Sequence, residues 1–401
     1  MHLRFTTAGE SHGPGLVVVV EGIPAGLRLD VGRDVDAELR RRQGGYGRGE
    51  RMRIEADKAE VVAGIRLGET IGSPIAFVIR NRDWENWRTA MAHEAPADIA
   101  TDEALRRVLL PRPGHADLAG VLKYGRDDAR DILERASARE TTARVAAGAV
   151  AKRLLAEVGI RIGSHVVMMG GVEAARPQEL PPDLNAAADA SPLRTLDPDA
   201  EARMIEEVDR AAAEGDTLGG VFEVVATGLP VGLGSHVSGE RRLDARLAGA
   251  LMSIQAMKGV EIGMGFRAAA LRGSAVHDEI EADPSRRRSG GFRRTRNNAG
   301  GVEGGMSTGE PLVARVAMKP LSSLAKPLRS VDLSTGERAD AIRERSDVAA
   351  LAAAGVVGEA MMALVLADAV LEKFGGDSMT ELTRAFGSYL DQLAARRAST
   401  A

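Results

Sequence analysis

Two stretches of this chain carry the same pattern of glycine and proline, and this repetition limits the possible folds more than any other feature. Residues 21–27 read EGIPAGL and residues 227–233 read TGLPVGL, and strand-forming residues precede both. Farther along, residues 64–75 match residues 301–312 at one constant spacing. Glycine and proline are common at unrelated turns, so each match alone is weak. Because the matches keep the same order, they predict two similar halves that bury their helices against each other in one core.

We expect one domain over residues 1–401, with the similar halves at about 1–81 and 218–320. The spacing between matched positions grows across the second half, where residues 281–297 read as a surface insertion. Six arginines within 286–296 repel one another beside a Ser-Gly-Gly sequence. This composition predicts a mobile surface loop in the free protein.

Periodicity and turn residues predict the main helices and strands. The apolar helix at 348–373 contains Glu359 and Asp368, so we expect it in the core or at an interface rather than in a membrane. The proline-rich stretch 172–217 predicts a surface excursion around one amphipathic helix. Strands are predicted at 16–21, 52–55, 59–65 and 73–81, and further helices at 34–43, 132–159 and 243–258.

Composition excludes several classes of function. The chain has no cysteine, which removes disulfides, iron–sulfur clusters and cysteine nucleophiles and fits a reducing cytoplasm. A net charge of −4 and only 3 % aromatic residues disfavour binding to nucleic acid or to an anionic membrane. The sequence has no P-loop, no GxGxxG after a strand, no HExxH and no metal-ligand spacing among its seven histidines. We therefore expect no metal, and the first residues show no signal peptide.

Short polar segments in glycine-rich surroundings remain as candidate catalytic or binding sites. His12 lies within TAGESHG and His115 within RPGHAD, where small residues allow a close approach to a ligand, although each could be an ordinary structural histidine. Five arginines occupy residues 40–51, at a helix end and in a glycine-rich loop. They either complement the helix dipole or capture a polyanion. Two imidazoles, one carboxylate and many arginines suit acid–base work on a multiply anionic substrate.

Seven motifs occur in a fixed order along the chain: TAGESHG, RRQGGYGRG, RPGHAD, ERASARET, SIQAMKGVEIG, GGVEGGMSTG and RSDV. Together they resemble the chorismate synthase family over about residues 3–375, nearly the whole chain. The resemblance implies an α+β fold, an internally duplicated β-α-β sandwich with a helical core between two antiparallel sheets. It also implies assembly as a homotetramer. The arginine-rich and proline-rich stretches depart from the family pattern outside these motifs.

The activity that the resemblance implies is a lyase of the shikimate pathway, which serves aromatic amino acid biosynthesis. Such an enzyme converts 5-enolpyruvylshikimate 3-phosphate to chorismate and phosphate by anti 1,4-elimination. It requires reduced FMN although the net reaction is redox-neutral. NADPH enters only as a source of electrons, through the enzyme itself or through a separate flavin reductase, and the sequence leaves this choice open.

The resemblance also assigns roles to individual residues. His12 would protonate the departing phosphate, and His115 would stabilise the anionic reduced flavin by proton donation. Asp347 would accept a proton near the flavin, alongside Ser137. The anion-binding arginines would be Arg42, Arg48, Arg51, Arg112, Arg139 and Arg345. The flavin contacts would be Arg135, Ala136, Ser137, Gln255, Ala256, Gly304, Lys319, Pro320, Leu321, Ser322, Ser323 and Arg345.

Two other functions remain open at the level of the sequence. A nucleic-acid-binding protein would use the arginines of 286–296, and its binding would fall steeply with salt. A flavin-dependent oxidoreductase on the same scaffold would consume NADPH steadily without releasing phosphate. We expect a small anionic substrate, a cytoplasmic location, and no nucleic-acid or membrane partner.

Overall fold

Two antiparallel sheets enclose a layer of helices in this protein. The computed structural model describes residues 2–49, 56–94, 105–344 and 347–398. The strands are β1 (Arg4–Ala8), β2 (Gly15–Glu21), β3 (Glu60–Ala63), β4 (Ile65–Arg66), β5 (Glu69–Thr70), β6 (Ile75–Arg80), β7 (Arg161–Met169), β8 (Val172–Glu173), β9 (Gly220–Thr227), β10 (Met257–Ile262), β11 (Ile280–Ala282), β12 (Phe292–Arg294), β13 (Val302–Glu303), β14 (Met306–Ser307), β15 (Leu312–Met318), β16 (Arg329–Val331) and β17 (Arg338–Asp340). The helices are α1 (Asp36–Gln43), α2 (Trp84–Trp87), α3 (Asp117–Tyr124), α4 (Arg130–Ala136), α5 (Thr141–Glu157), α6 (Leu184–Asp189), α7 (Pro198–Glu214), α8 (Leu243–Met252), α9 (Gly273–Val276), α10 (Leu351–Phe374) and α11 (Met379–Ala398).

The two sheets share one strand order. The first sheet runs β1-β2-β6-β3, and the second runs β7-β9-β15-β10 with the short β8 added beside β7. All neighbouring strands in both sheets are antiparallel. In β2, the buried residues Leu16, Val18 and Val20 alternate with more exposed ones, so one face of the sheet packs on the core.

The helical layer between the sheets consists mainly of α1, α5, α8 and α10. Helix α5 packs on β2, α10 packs on β7 and β9, and the two helices pack against each other. A Cβ at Gly148 would lie 2.5 Å from the Cα of Ala360, so this glycine permits their close approach. By length and composition α10 could cross a membrane, but 89 % of its most apolar stretch is buried inside the protein. The predicted α+β fold with a helical core between antiparallel sheets is confirmed, as is the core position of α10.

The repeated glycine–proline turns make the same contacts in both halves. Thr70 Oγ1 donates to the proline carbonyl of the first turn (2.6 Å) and accepts the N–H of Leu27 (3.0 Å). Ser307 Oγ donates to the proline carbonyl of the second turn (2.6 Å) and accepts the N–H of Leu233 (2.8 Å). Internal duplication stays a prediction, and these repeated hydrogen bonds support it.

The helix predicted at 132–159 is divided at a serine. Helix α4 ends at Ala136, and Ser137 adopts an extended conformation with φ −62° and ψ 143°. The Ser137 hydroxyl accepts the N–H of Arg139 (3.3 Å), so it competes with helical hydrogen bonding at this point. A short 3-10 turn follows before α5 begins. The single-helix prediction is therefore wrong at a segment to which the resemblance assigns flavin contacts.

Other boundaries also differ from the prediction. The helix predicted at 243–258 ends at Met252, and Ala256 has a left-handed φ of +69° just before β10. The excursion at 172–217 holds two helices, α6 and α7, rather than one. The strand predicted at 52–55 lies outside the described residues. The predictions at 16–21, 34–43, 59–65 and 73–81 are confirmed in β2, α1, β3 and β6.

The arginine-rich segment 286–296 is ordered, and the expectation of a mobile loop is wrong. Strands β11 and β12 pair there, and Arg294 forms an ion pair with Glu303 (2.7 Å). Arg288 donates to the carbonyl of Val158 (2.9 Å), at the end of α5. Each of these guanidinium groups has a partner of its own, and these partners offset the mutual repulsion that the sequence suggests.

Candidate active site

The loop before α3 presents His115 against a buried carboxylate. Asp117, the first residue of α3, is fully buried and accepts hydrogen bonds from Arg112 Nε (2.9 Å) and from His115 Nδ1. Burial raises the pKa of Asp117, but the hydrogen bonds and charges of His115 and Arg112 outweigh it and hold the pKa well below its usual range. Arg112 Nη1 also donates to Ser323 Oγ (2.8 Å). An ionised Asp117 can only accept, so its contact favours a proton on Nδ1 and leaves Nε2 for exchange with a ligand. Arg112 Nη2, which can only donate, also lies 3.1 Å from Nδ1 and favours the opposite tautomer.

Residues 319–323 connect this loop to the end of α8. Lys319 Nζ donates to the carbonyl of Gly114 (2.9 Å), and the Lys319 backbone N–H donates to the carbonyl of Ala256 (3.0 Å). Burial, followed by the charge of Lys258, lowers the pKa of Lys319. Three segments to which the resemblance assigns flavin contacts or proton transfer thus meet at one end of β10 and β15.

A polar cavity of about 370 Å³ lies beside the same end of β10, and Phe5, Thr7, Arg135, Glu140, Arg144, Ser253 and Gln255 line it. Glu140 accepts hydrogen bonds from Thr7 Oγ1 (2.6 Å), Arg144 Nε (2.8 Å) and Gln255 Nε2 (3.0 Å). Burial raises the pKa of Glu140, but these hydrogen bonds and the charges of Arg144 and Arg135 bring it below its ordinary value. The cavity therefore has a fixed negative charge within a cationic rim.

His12 lies against a second buried carboxylate. Its Nδ1 is 2.8 Å from Glu134 Oε2, and its ring stacks on Trp87 with centroids 3.8 Å apart. The neighbouring Ser11 hydroxyl accepts a hydrogen bond from Ser137 (3.2 Å). His12 and Ser137, two of the predicted catalytic residues, thus lie in one region, together with Glu134 and Trp87.

The predicted anion-binding arginines in the described residues have partners within the protein. Arg48 Nε lies 3.1 Å from Asp347 Oδ2, so the two residues assigned to substrate binding and proton acceptance form an ion pair. Arg139 Nη1 donates to Asp57 (2.7 Å), and Arg42 Nε donates to a threonine hydroxyl at the start of α5 (2.9 Å). Their roles in anion binding stay predictions, and the contacts show that they also hold the loops in place.

Some of the predicted site residues are not found near His12, His115 and their partners in the part of the chain that the structure describes. Arg51 and Arg345 lie outside the described residues. Gly304 lies between β13 and β14, next to the start of β15, whereas Lys319 follows its end. The seven residues of β15 span about 20 Å, so the two positions are separated within one chain. Gly304 lines a different cavity of about 560 Å³, with Ile262 and Val302 among its walls.

Sequence reasoning missed roles for Trp87, Glu134 and Glu140. Glu134 and Glu140 stand within the quoted ERASARET motif, so a signal existed at both positions. Trp87 is one of only two tryptophans, but nothing near it in the sequence indicates that it packs on His12. In the part of the chain that the structure describes, no cluster of three or more acidic or histidine side chains could hold a metal ion.

Comparison with known proteins gives one consistent result. The family model described as Chorismate synthase matches residues 3–371. A chorismate synthase of Desulforudis audaxviator (strain MP104C) is 57 % identical over 397 residues, covering 99 % of both chains. One of Thermobifida fusca (strain YX) is 55 % identical over 401 residues, covering 98 % of this chain and 100 % of the relative. A solved structure described as "Crystal Structure of Chorismate Synthase" has a TM-score of 0.78 and 43 % identity, covering 98 % of this chain and 99 % of the other. The chain belongs to the chorismate synthase family.

Proposed function

We propose that this enzyme forms chorismate by removing phosphate from 5-enolpyruvylshikimate 3-phosphate in an anti 1,4-elimination, with reduced FMN bound. Chorismate formation is the lyase reaction of its family in the shikimate pathway, and a requirement for reduced flavin is general to that family. The observation that carries the proposal is the meeting of the His115 loop, residues 319–323 and Gln255–Ala256 beside the Arg135–Glu140 cavity.

The residues around this cavity fit a flavin. Gln255 Nε2 donates to the acceptor-only carboxylate of Glu140, which fixes the amide so that Oε1 is the remaining acceptor. Among the described residues this buried Oε1 has no hydrogen-bond partner, and a ring N–H or a hydroxyl of the cofactor would satisfy it. Arg135 offers positive charge at the same cavity, whose volume falls within the range of small-molecule sites. When bound, reduced FMN supplies an electron to the substrate transiently.

The chain's own residues supply charge and proton transfer. Arg48, Arg112 and Arg139 neutralise the two carboxylates and the phosphate of the substrate. His12 gives a proton to the phosphate as its C–O bond breaks. Asp347 receives the proton that leaves the carbon at the other end of the eliminated system, and Ser137 takes part in this transfer. His115 donates from Nε2 toward the reduced flavin, while Asp117 keeps the ring oriented.

We also propose a homotetramer in the cytoplasm in which Gly304 serves the site of a neighbouring subunit. Gly304 precedes β15 and Lys319 follows it, and the strand between them spans about 20 Å. Gly304 lines a cavity together with the exposed side chain of Ile280. If a second copy of the chain packs against this face, Gly304 of one copy would reach the active site of the other, which that copy's own Gly304 does not reach. NADPH would enter only as a source of electrons, directly or through a separate reductase.

The test is anaerobic incubation of the protein with reduced FMN and 5-enolpyruvylshikimate 3-phosphate, with phosphate and chorismate assayed together. We expect the two products in equal amounts and no net oxidation of the flavin. In a parallel incubation that also contains NADPH, steady NADPH consumption without phosphate release would instead identify a flavin-dependent oxidoreductase and overturn the proposal.

A further inference from the structure

His12 is enclosed by three residues to which sequence reasoning gave no role. Its ring stacks on Trp87, with centroids 3.8 Å apart and planes inclined by 26°. Its Nδ1 lies 2.8 Å from Oε2 of Glu134, whose side chain is only 1 % exposed. Arg130 donates to the same carboxylate (3.1 Å), and its guanidinium lies over the Trp87 ring, 5.2 Å from the centroid. These contacts join α2, α4 and the loop after β1 around one imidazole.

Glu134 fixes both the position and the protonated nitrogen of this imidazole. Its carboxylate accepts the backbone N–H of His12 (2.9 Å) as well as the ring Nδ1–H. Burial raises the pKa of Glu134, but the contacts with His12 and the charge of Arg130 outweigh it, so the pKa falls below its ordinary value. An ionised carboxylate can only accept, so the proton on Nδ1 is committed and any exchange with a ligand uses Nε2.

Trp87 fixes the plane of the imidazole. Its Nε1–H donates to Asp83 (3.0 Å), one turn earlier, which limits rotation of the indole. The stack and this hydrogen bond therefore hold the imidazole in one plane.

We propose that Glu134 and Trp87 are positioning residues that hold His12 with Nδ1–H turned inward, so that when both ring nitrogens carry protons the one on Nε2 leaves and the one on Nδ1 stays. The orientation of the His12 imidazole is inferred from these contacts alone. The role of His12 in the departure of phosphate rests on the proposed function. Glu134 acts only through His12 and does not itself contact the substrate.

The protein contains a matched control for this arrangement. His165 and Glu223 lie opposite each other on β7 and β9, both buried, with Nε2 and Oε1 3.3 Å apart. Glu223→Gln thus removes a carboxylate of comparable burial from another histidine, away from the cluster around Lys319. It measures the general effect of losing a buried carboxylate next to a histidine.

The first experiment reads the tautomer of His12 without catalysis. The full-length protein is labelled with ¹⁵N-histidine and studied at a pH where imidazole is neutral, and His12→Asn assigns the signal. We expect the Nδ1–H form in the wild type and in Glu223→Gln, and a shift toward the Nε2–H form in Glu134→Ala. An unchanged His12 tautomer in Glu134→Ala would overturn the inference, even if the enzyme forms chorismate as proposed.

The second experiment follows phosphate release in a single turnover with reduced FMN. We expect Glu134→Gln to slow release by about 10²- to 10⁴-fold with little change in substrate affinity, because the charge behind the imidazole is lost. Trp87→Leu should slow it by about 3- to 10-fold, and Trp87→Phe should recover most of the rate.

The outcomes separate the two proposals. Equal slowing by Glu134→Gln and Glu223→Gln, or a loss seen only in substrate affinity, would contradict the positioning role. If His12→Ala releases phosphate at the wild-type rate while the tautomer depends on Glu134, the orientation stands and the assignment of His12 as the acid fails.

Discussion

The Nδ1 atoms of His12 and His115 each contact a buried carboxylate. The two carboxylates differ in the arginine side chains that contact them. Asp117 accepts two hydrogen bonds from the side chain of Arg112, whereas Glu134 accepts one from Arg130. In both pairs the carboxylate pKa is held below its ordinary value by these contacts despite burial. Each Nδ1 therefore faces a fixed negative charge, which leaves Nε2 for the acid–base role proposed for each imidazole.

Removal of either imidazole should affect turnover far more than cofactor binding. We expect His12→Ala and His115→Ala to lower the single-turnover rate by about 10²- to 10⁴-fold, which is the usual effect of losing one positioned acid or base. Flavin affinity, measured by fluorescence titration, should change little. The exposed His236 provides a control, since His236→Ala should leave both quantities unchanged. A variant at position 12 or 115 that keeps the wild-type rate with reduced FMN bound would remove that residue from proton transfer.

Arg48 should influence substrate binding directly and through Asp347. Arg48→Ala removes a charge-assisted contact of roughly 1.5–3 kcal/mol, so we expect affinity for substrate to fall about 10- to 100-fold. It also removes the ion-pair partner of Asp347, so the rate of proton removal should fall as well. Arg48→Lys should recover only part of the affinity, because an ammonium lacks the planar fork. Arg40→Ala, an exposed change in the same arginine cluster, is the control, and an equal effect there would contradict a specific role.

At the scale of single residues, the sequence indicates the histidines and most of the arginines but not their orientation. The motifs around His12 and His115 contain the right residue types, and Glu134 stands within a motif. The stack of Trp87 on His12 joins segments far apart in the chain. Such a contact depends on tertiary packing, which local patterns do not contain.

At the scale of elements, the interior of α10 contains a buried charge with several partners. Glu359 is fully buried and accepts hydrogen bonds from Arg41, Lys152 and Arg194 at 2.7 to 3.0 Å. Glu359→Gln removes the fully buried charge from this group and leaves its cations only the partly exposed Glu38 and Asp189 as counter-charges. We expect the free energy of unfolding to fall by about 3–5 kcal/mol in a denaturant titration. Glu372→Gln, in a more exposed pair, should cost less than about 1 kcal/mol, and equal losses would contradict this ranking.

The same carboxylate should make stability depend on pH. Burial raises the pKa of Glu359, but the charges of Lys152 and Arg41 outweigh it and place the pKa well below the ordinary 4.5. A carboxyl with a depressed folded-state pKa stabilises the fold above its unfolded value and loses that contribution as pH falls through the folded-state value. Melting temperatures measured from pH 7 downward should therefore show the advantage of the wild type over Glu359→Gln shrinking below about pH 4.5. A constant difference would contradict this assignment.

The helix boundaries show where local patterns fail. The segment 132–159 has uniformly high helix propensity, yet the hydroxyl of Ser137 takes a backbone N–H and divides it. At 243–258 the apolar spacing continues, but Ala256 adopts a left-handed conformation that places its carbonyl on the Lys319 N–H. Both interruptions belong to the candidate site, where functional geometry overrides propensity.

At the scale of the whole molecule, the repeated turns allow the sequence to indicate the architecture. The matched glycine–proline patterns fall on corresponding positions of two sheets with one strand order. The arginine segment 286–296 shows the limit of this reasoning, because repulsion within the sequence is offset by partners such as Glu303 and the end of α5. Composition gives the number and sign of the charged side chains, but only the folded structure shows which groups contact them.

The proposed homotetramer, in which Gly304 would serve a neighbouring subunit, can be tested with mixed assemblies. Gly304→Asn suits the left-handed φ of +57° while blocking close approach, and Lys319→Ala disrupts the other end of the site. Each variant alone should be nearly inactive. If sites are shared between subunits, tetramers reassembled from equal amounts of both should regain about a quarter of wild-type turnover, because one pairing in four combines two intact contributors. A mixture of Lys319→Ala with His115→Ala, two changes on one side of the site, is the control and should regain nothing. If the mixture that contains Gly304→Asn regains no turnover, Gly304 contributes to the site of its own subunit.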